Sequence, residues 1–77
     1  MDKLLCEMVK AIVDKPDDVS VSVNESDSTK IYELAVGDGD LGKVIGKKGR
    51  NVNALRVILS AATAKEGDKR AILEVIE

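Results

Sequence analysis

The sequence predicts an α+β domain of two layers, in which a three-stranded mixed sheet is covered on one face by helices in the chain order α-β-β-α-α-β. Three patterns point there. Apolar residues recur at helical spacing near the start and again after Arg50, valines alternate with polar residues from Val19 to Val23, and a last apolar alternation closes the chain. At 77 residues there is room for one domain, taken as residues 1–77. A chain that short buries only about 60 % of its unfolded surface, so the core must be economical. Val, Ile and Leu supply 23 residues, enough to pack one layer on another.

Each element has its own signal. Leu4, Leu5, Met8, Val9, Ile12 and Val13 form one helical stripe, and Pro16 is expected to stop that helix near Asp14. Val19, Val21 and Val23, alternating with Ser20, Ser22 and Asn24, make a strand with one buried face. Polar residues from Asn24 to Ser28 form a turn. A second strand, about Thr29 to Val36, carries Tyr32, Leu34 and Val36 on one face and Glu33 on the other, and pairs with the first as an antiparallel hairpin. Gly37-Asp38-Gly39-Asp40 ends it, and Asp38 or Asp40 is placed to cap a short helix holding Leu41, Val44 and Ile45. Gly46-Lys47-Lys48-Gly49 interrupts that helix. A longer one over about Arg50 to Lys65 turns Val52, Leu55, Leu59 and Ala62 inward and stops at Gly67. Ala71 to Ile76 is the last strand. Two helices separate it from the second, so a right-handed crossover can lay the two parallel.

Composition removes several function classes. Without histidine there is no His-based triad, general base or metal site. Cys6 alone forms neither an internal disulfide nor a thiolate zinc site, which fits a reducing, cytoplasmic setting. No apolar run approaches the ~20 residues of a membrane span, and Met1-Asp2-Lys3 does not open a secretory signal. Tyr32 is the sole aromatic residue, so stacking of bases on aromatic platforms is close to excluded. The carboxylates scatter over turns and helix ends, and no pair is spaced for acid–base work; the expectation is a non-enzyme with no cofactor.

The net charge of −2 conceals an asymmetry. Between Leu41 and Ala64 stand Lys43, Lys47, Lys48, Arg50 and Arg56 with no acid among them. Solvated helix faces usually interleave both signs, so an acid-free cationic stretch in an acidic chain reads as a focused patch for a polyanion.

The glycines invite other readings that fail on chemistry. Gly37, Gly39 and Gly42 spell G-x-G-x-x-G, but Asp38 and Asp40 would face a pyrophosphate with like charge, and no downstream acid is placed to hold a ribose. Gly37 to Lys43 mimics a Walker A loop until Val44, where a hydroxyl is required. The spacing of an EF-hand is not met either. Gly46-Lys47-Lys48-Gly49 is different. Its glycines let another backbone approach, Gly49 opens a helix whose N-terminal end favours an anion, and Lys47 and Lys48 stand beside that end with Lys43 and Arg50 flanking. No nucleophile, base or metal ligand is near, so the loop reads as a clamp for a phosphate backbone. Val44 and Ile45 are candidates for either an adjoining groove wall or the core. Asn51 and Asn53 are candidate hydrogen-bonding residues, and Arg56 is either a further contact or a surface charge.

The string Leu41-Gly42-Lys43-Val44-Ile45-Gly46-Lys47-Lys48-Gly49-Arg50 resembles the signature of KH domains, and the element order resembles their type II arrangement. With Ile12 to Val19 and Ala54 to Ala62 added, essentially the whole chain is similar to the small bacterial KhpA (YlqC-like) family. The Gly37-Asp38-Gly39 approach is richer in glycine than that pattern. The resemblance implies a stand-alone KH domain that binds single-stranded RNA, forms homodimers, and pairs with a larger KhpB (Jag-type) partner. It also implies RNA chaperone or post-transcriptional work, linked in some bacteria to cell shape and wall biogenesis. Neither a membrane nor a small-molecule substrate is implied. A protein-interaction module whose partner supplies most of the RNA contact is the alternative.

Overall fold

The computed structural model describes residues 2–67 and 69–77; Met1 and Asp68, included in the single-domain expectation, lie outside the described residues. Helix α1 (Asp2–Lys10) buries Leu5 and Val9 and leaves Leu4 and Ile12 on the surface. It ends well short of the expected stop near Asp14. The reason lies across the molecule, where the buried Asp40 carboxylate accepts the backbone N–H groups of Asp14 (3.3 Å) and Lys15 (2.9 Å). Those two bonds hold the segment off the helical path before Pro16 is reached. Pro16 instead opens a single 3-10 turn, Pro16–Asp18.

Strands β1 (Ser20–Glu25) and β2 (Thr29–Ala35) pair antiparallel, Val21 opposite Leu34 and Val23 opposite Tyr32. Strand β3 (Arg70–Ile76) lies parallel to β2, Leu73 opposite Tyr32 and Val75 opposite Leu34. The sheet order is β1-β2-β3, so the central strand is also the most buried. Facing pairs share a side of the sheet. Tyr32 (1 % exposed), Leu34, Leu73 and Val36 therefore form a continuous dry surface. The edge strand β1 departs from expectation at its far end: Val19 is buried, but Val23 is 37 % exposed, beyond the reach of the helical layer.

The short helix α2 (Leu41–Ile45) and the long α3 (Arg50–Glu66) complete the fold, with Val44, Val52, Leu55 and Leu59 joining Leu5 and Val9 in one core. Asp40 stands at the N-cap of α2, yet no side-chain hydrogen bond closes that cap, because its carboxylate is committed to Asp14 and Lys15. Helix α3 stops at Gly67 as expected, the glycine continuing in extended backbone (φ 162°, ψ −163°). Among the described residues no helix is long and apolar enough to cross a membrane.

Candidate nucleic-acid interface

Between α2 and α3 the chain turns through Gly46 and a 3-10 turn, Lys47–Gly49. Gly46 has φ 75° and ψ 171°, a region that only glycine occupies freely. A Cβ there would stand 2.7 Å from Asn51 Cγ and 2.9 Å from the Asn51 backbone nitrogen. Asn51 Nδ2 in turn donates to the Lys43 carbonyl at 2.8 Å, tying the first turn of α3 to α2. Asn51, a candidate hydrogen-bonding residue, thus commits one of its two amide N–H groups to the Lys43 carbonyl and positions the loop. Lys48 (φ 56°, ψ 27°) is the one non-glycine residue with positive φ among the described residues. Holding a lysine there costs about 1 kcal/mol. Gly49 follows at φ 76°, ψ 14°, conformations that together swing the chain into α3.

The loop amides divide into two kinds. Gly46 N–H is bonded to the Gly42 carbonyl (2.9 Å) and Gly49 N–H to the Gly46 carbonyl (3.1 Å), so the glycine amides are internally satisfied. The amides of Lys47 and Lys48 have no acceptor among the described residues, and their ammonium groups have no acidic partner there either. Both residues are exposed. They stand at the head of the 17-residue α3, whose positive dipole end adds to their charge. Arg50 follows at once, exposed. Lys43 differs: its ammonium lies 3.5 Å from the Asp14 carboxylate. Val44 is fully buried and belongs to the core, whereas Ile45 is 39 % exposed beside the turn.

Arg56 lines a cleft of about 640 Å³ between α3 and β3, with Leu59 and Leu73 on the apolar side and Ser60, Lys69 and Arg70 on the polar side. Lys69 and Arg70 were missed by sequence reasoning because they sit outside the acid-free stretch; the signal for them was a basic pair directly before a strand. Lys69 Nζ is 2.7 Å from Glu25 Oε2, and Lys30 lies 3.8 Å from Glu25 Oε1. The hydrogen bond and charge of Lys69, with a smaller contribution from Lys30, hold the Glu25 carboxyl below its ordinary pKa. Among the described residues no group of three or more His, Cys, Asp or Glu side chains converges as a metal site.

Comparison with known proteins finds relatives along the whole chain. A family model described as KhpA/KhpB, KH domain, matches residues 2–75. The chain is 42 % identical over 77 residues to the RNA-binding protein KhpA of Listeria monocytogenes, covering the whole of both. It is 45 % identical over 76 residues to the protein of that name from Clostridium acetobutylicum, covering 99 % of this chain and all of the relative. It is 40 % identical over 77 residues to the one from Chlamydia trachomatis, covering all of this chain and 97 % of the relative.

Proposed function

This chain belongs to the KhpA/KhpB family of KH domains, and we propose that it binds single-stranded RNA by its sugar-phosphate backbone at the Gly46-Lys47-Lys48-Gly49 turn. Its three-stranded mixed sheet under helices is consistent with a type II KH fold. One observation carries the proposal: at Lys47 and Lys48, two consecutive amides and two ammonium groups stand without partners among the described residues, at the head of a long helix. Phosphate oxygens accept from the two N–H groups while the lysines and Arg50 neutralise the charge. The neighbouring bases, about four nucleotides in all, run past Ile45 into the cleft bounded by Leu59, Leu73, Arg56 and Arg70.

No aromatic platform contributes, so the grip is modest, tolerant of sequence and steep in salt, with a slope of about 0.7 per phosphate contacted. A weak and sequence-tolerant grip suits the RNA chaperone or post-transcriptional role that the family resemblance implies. The module binds and does not catalyse. Exchanging both lysines in Lys47→Asp/Lys48→Asp tests the assignment, since both side chains are solvated and the fold should persist. Anisotropy of a short labelled oligouridylate should show binding lost. Unchanged affinity in a folded variant refutes the clamp.

A second observation favours association as well. Ala54, Val57, Ile58 and Ala61 recur at i, i+3, i+4 and i+7 on the exposed side of α3, with Val57 68 % exposed. On a helix of 3.6 residues per turn this stripe points away from Arg56, Ser60 and Thr63, so covering it leaves the cleft open. We infer that a second copy of the chain, or a larger KhpB-type partner, docks there. In sedimentation Val57→Asp should shift the chain to monomer, and a chain that dimerises while ignoring RNA would make association its main task.

A further inference from the structure

We propose that Glu25 acts as an internal phosphate mimic, occupying Lys69 and so limiting the hold of the α3–β3 cleft on RNA; this regulation rests on the RNA-binding proposal above. Glu25 ends β1 and Lys69 immediately precedes β3, 44 residues apart in sequence and brought together by the sheet. Their 2.7 Å contact is a charge-assisted hydrogen bond. The second carboxylate oxygen faces Lys30. The cleft's three cations are therefore unequal. Arg56 and Arg70 have no acidic partner among the described residues, while Lys69 is held.

A carboxylate and a phosphate present an ammonium with the same kind of anionic oxygen pair. A phosphate arriving at Lys69 must exchange with Glu25. The side chains are 37 % (Lys69) and 51 % (Glu25) exposed, so water screens the pair and the latch is weak: it tunes affinity and does not block the cleft. A carboxylate at the end of β1 thereby contributes to RNA affinity without touching RNA.

The test is a double-mutant cycle on the full chain, read by anisotropy of a short fluorescein-labelled oligouridylate across a salt series. Glu25→Gln should tighten binding about three- to five-fold at low salt and steepen the salt slope by about 0.7, one additional phosphate contact. The gain should vanish when Glu25→Gln is made on Lys69→Gln. As a charge-matched control, Glu7→Gln removes one negative charge from α1, which does not line the cleft, and should leave affinity unchanged. No gain from Glu25→Gln, an equal gain on the Lys69→Gln background, or the same gain from Glu7→Gln each overturns the latch. Lys47→Asp/Lys48→Asp, measured alongside, judges the backbone clamp separately: lost binding there with no effect of Glu25→Gln sinks the latch alone.

Discussion

Replacing Gly46 by alanine should be the most damaging single-methyl change in the loop, and its size can be worked from the local geometry. The backbone at φ 75°, ψ 171° lies where non-glycine residues carry about 1–3 kcal/mol of strain. The new Cβ would also meet Asn51 at 2.7 Å on the side chain and 2.9 Å on the backbone, so the first turn of α3 must move. That displacement breaks the Asn51–Lys43 hydrogen bond, a further ~1 kcal/mol. Together the loss is about 3 kcal/mol, a large share of the roughly 4–12 kcal/mol expected for a domain of this size. Tm should fall by about 12–24 °C.

Two neighbouring glycines calibrate the estimate. Gly49→Ala meets nothing closer than 3.6 Å and bears only the left-handed strain of φ 76°, about 1 kcal/mol. Gly42→Ala faces open space within α2 and should stabilise by about 0.5 kcal/mol. Urea unfolding of the three variants should rank Gly42→Ala above the parent, Gly49→Ala below it, and Gly46→Ala far below both. A Gly46→Ala variant no less stable than Gly49→Ala would refute the assignment of Gly46 to close packing against Asn51.

Lys48→Gly removes left-handed strain at φ 56° but adds unfolded-chain entropy, a net stabilisation of about 0.5 kcal/mol by urea titration. RNA affinity should fall in the same variant, so stability and binding move in opposite directions; a loss of both would show that Lys48 is not strained. The hydrogen bond and charge of Lys69 hold the Glu25 carboxyl below its ordinary pKa. The stability this pairing contributes is therefore present at pH above the ordinary carboxyl range and lost as the pH falls through the lowered folded midpoint. Carboxyl NMR should place the Glu25 midpoint below that of an ordinary glutamate and return it upward in Lys69→Gln; an identical midpoint in both would remove Lys69 as the cause.

Much of the architecture was legible because its signals are local and periodic. The Val19–Val23 alternation, the Tyr32-Leu34-Val36 face and the α3 stripe each needed only their own neighbours, and the two helices between β2 and β3 implied the parallel pairing. What escaped was set by contacts distant in sequence. Pro16 looked like the agent that ends α1, but the carboxylate of Asp40, 25 residues beyond Lys15, fixes the backbone first. Within the site, spacing located the turn but could not apportion its atoms. Val44 and Ile45 are adjacent and alike, yet one is sealed in the core and the other reaches solvent. For Asn51, spacing could not show that one amide N–H is held by the Lys43 carbonyl where Gly46 comes close. Lys69 was invisible as a cleft residue because its neighbour Glu25 lies across the sheet.

Tyr32, the single aromatic ring in the chain, is enclosed on the central strand with the Lys30 ammonium 5.9 Å from its ring centre. Near-ultraviolet dichroism and phenol emission from this protein consequently originate at one point in its interior. That optical signal registers melting of the hydrophobic layer itself, with no tryptophan to obscure it. Unfolding of the protein alone can thus be followed by its native phenol, and ligand capture in a separate titration by a dye on the oligonucleotide.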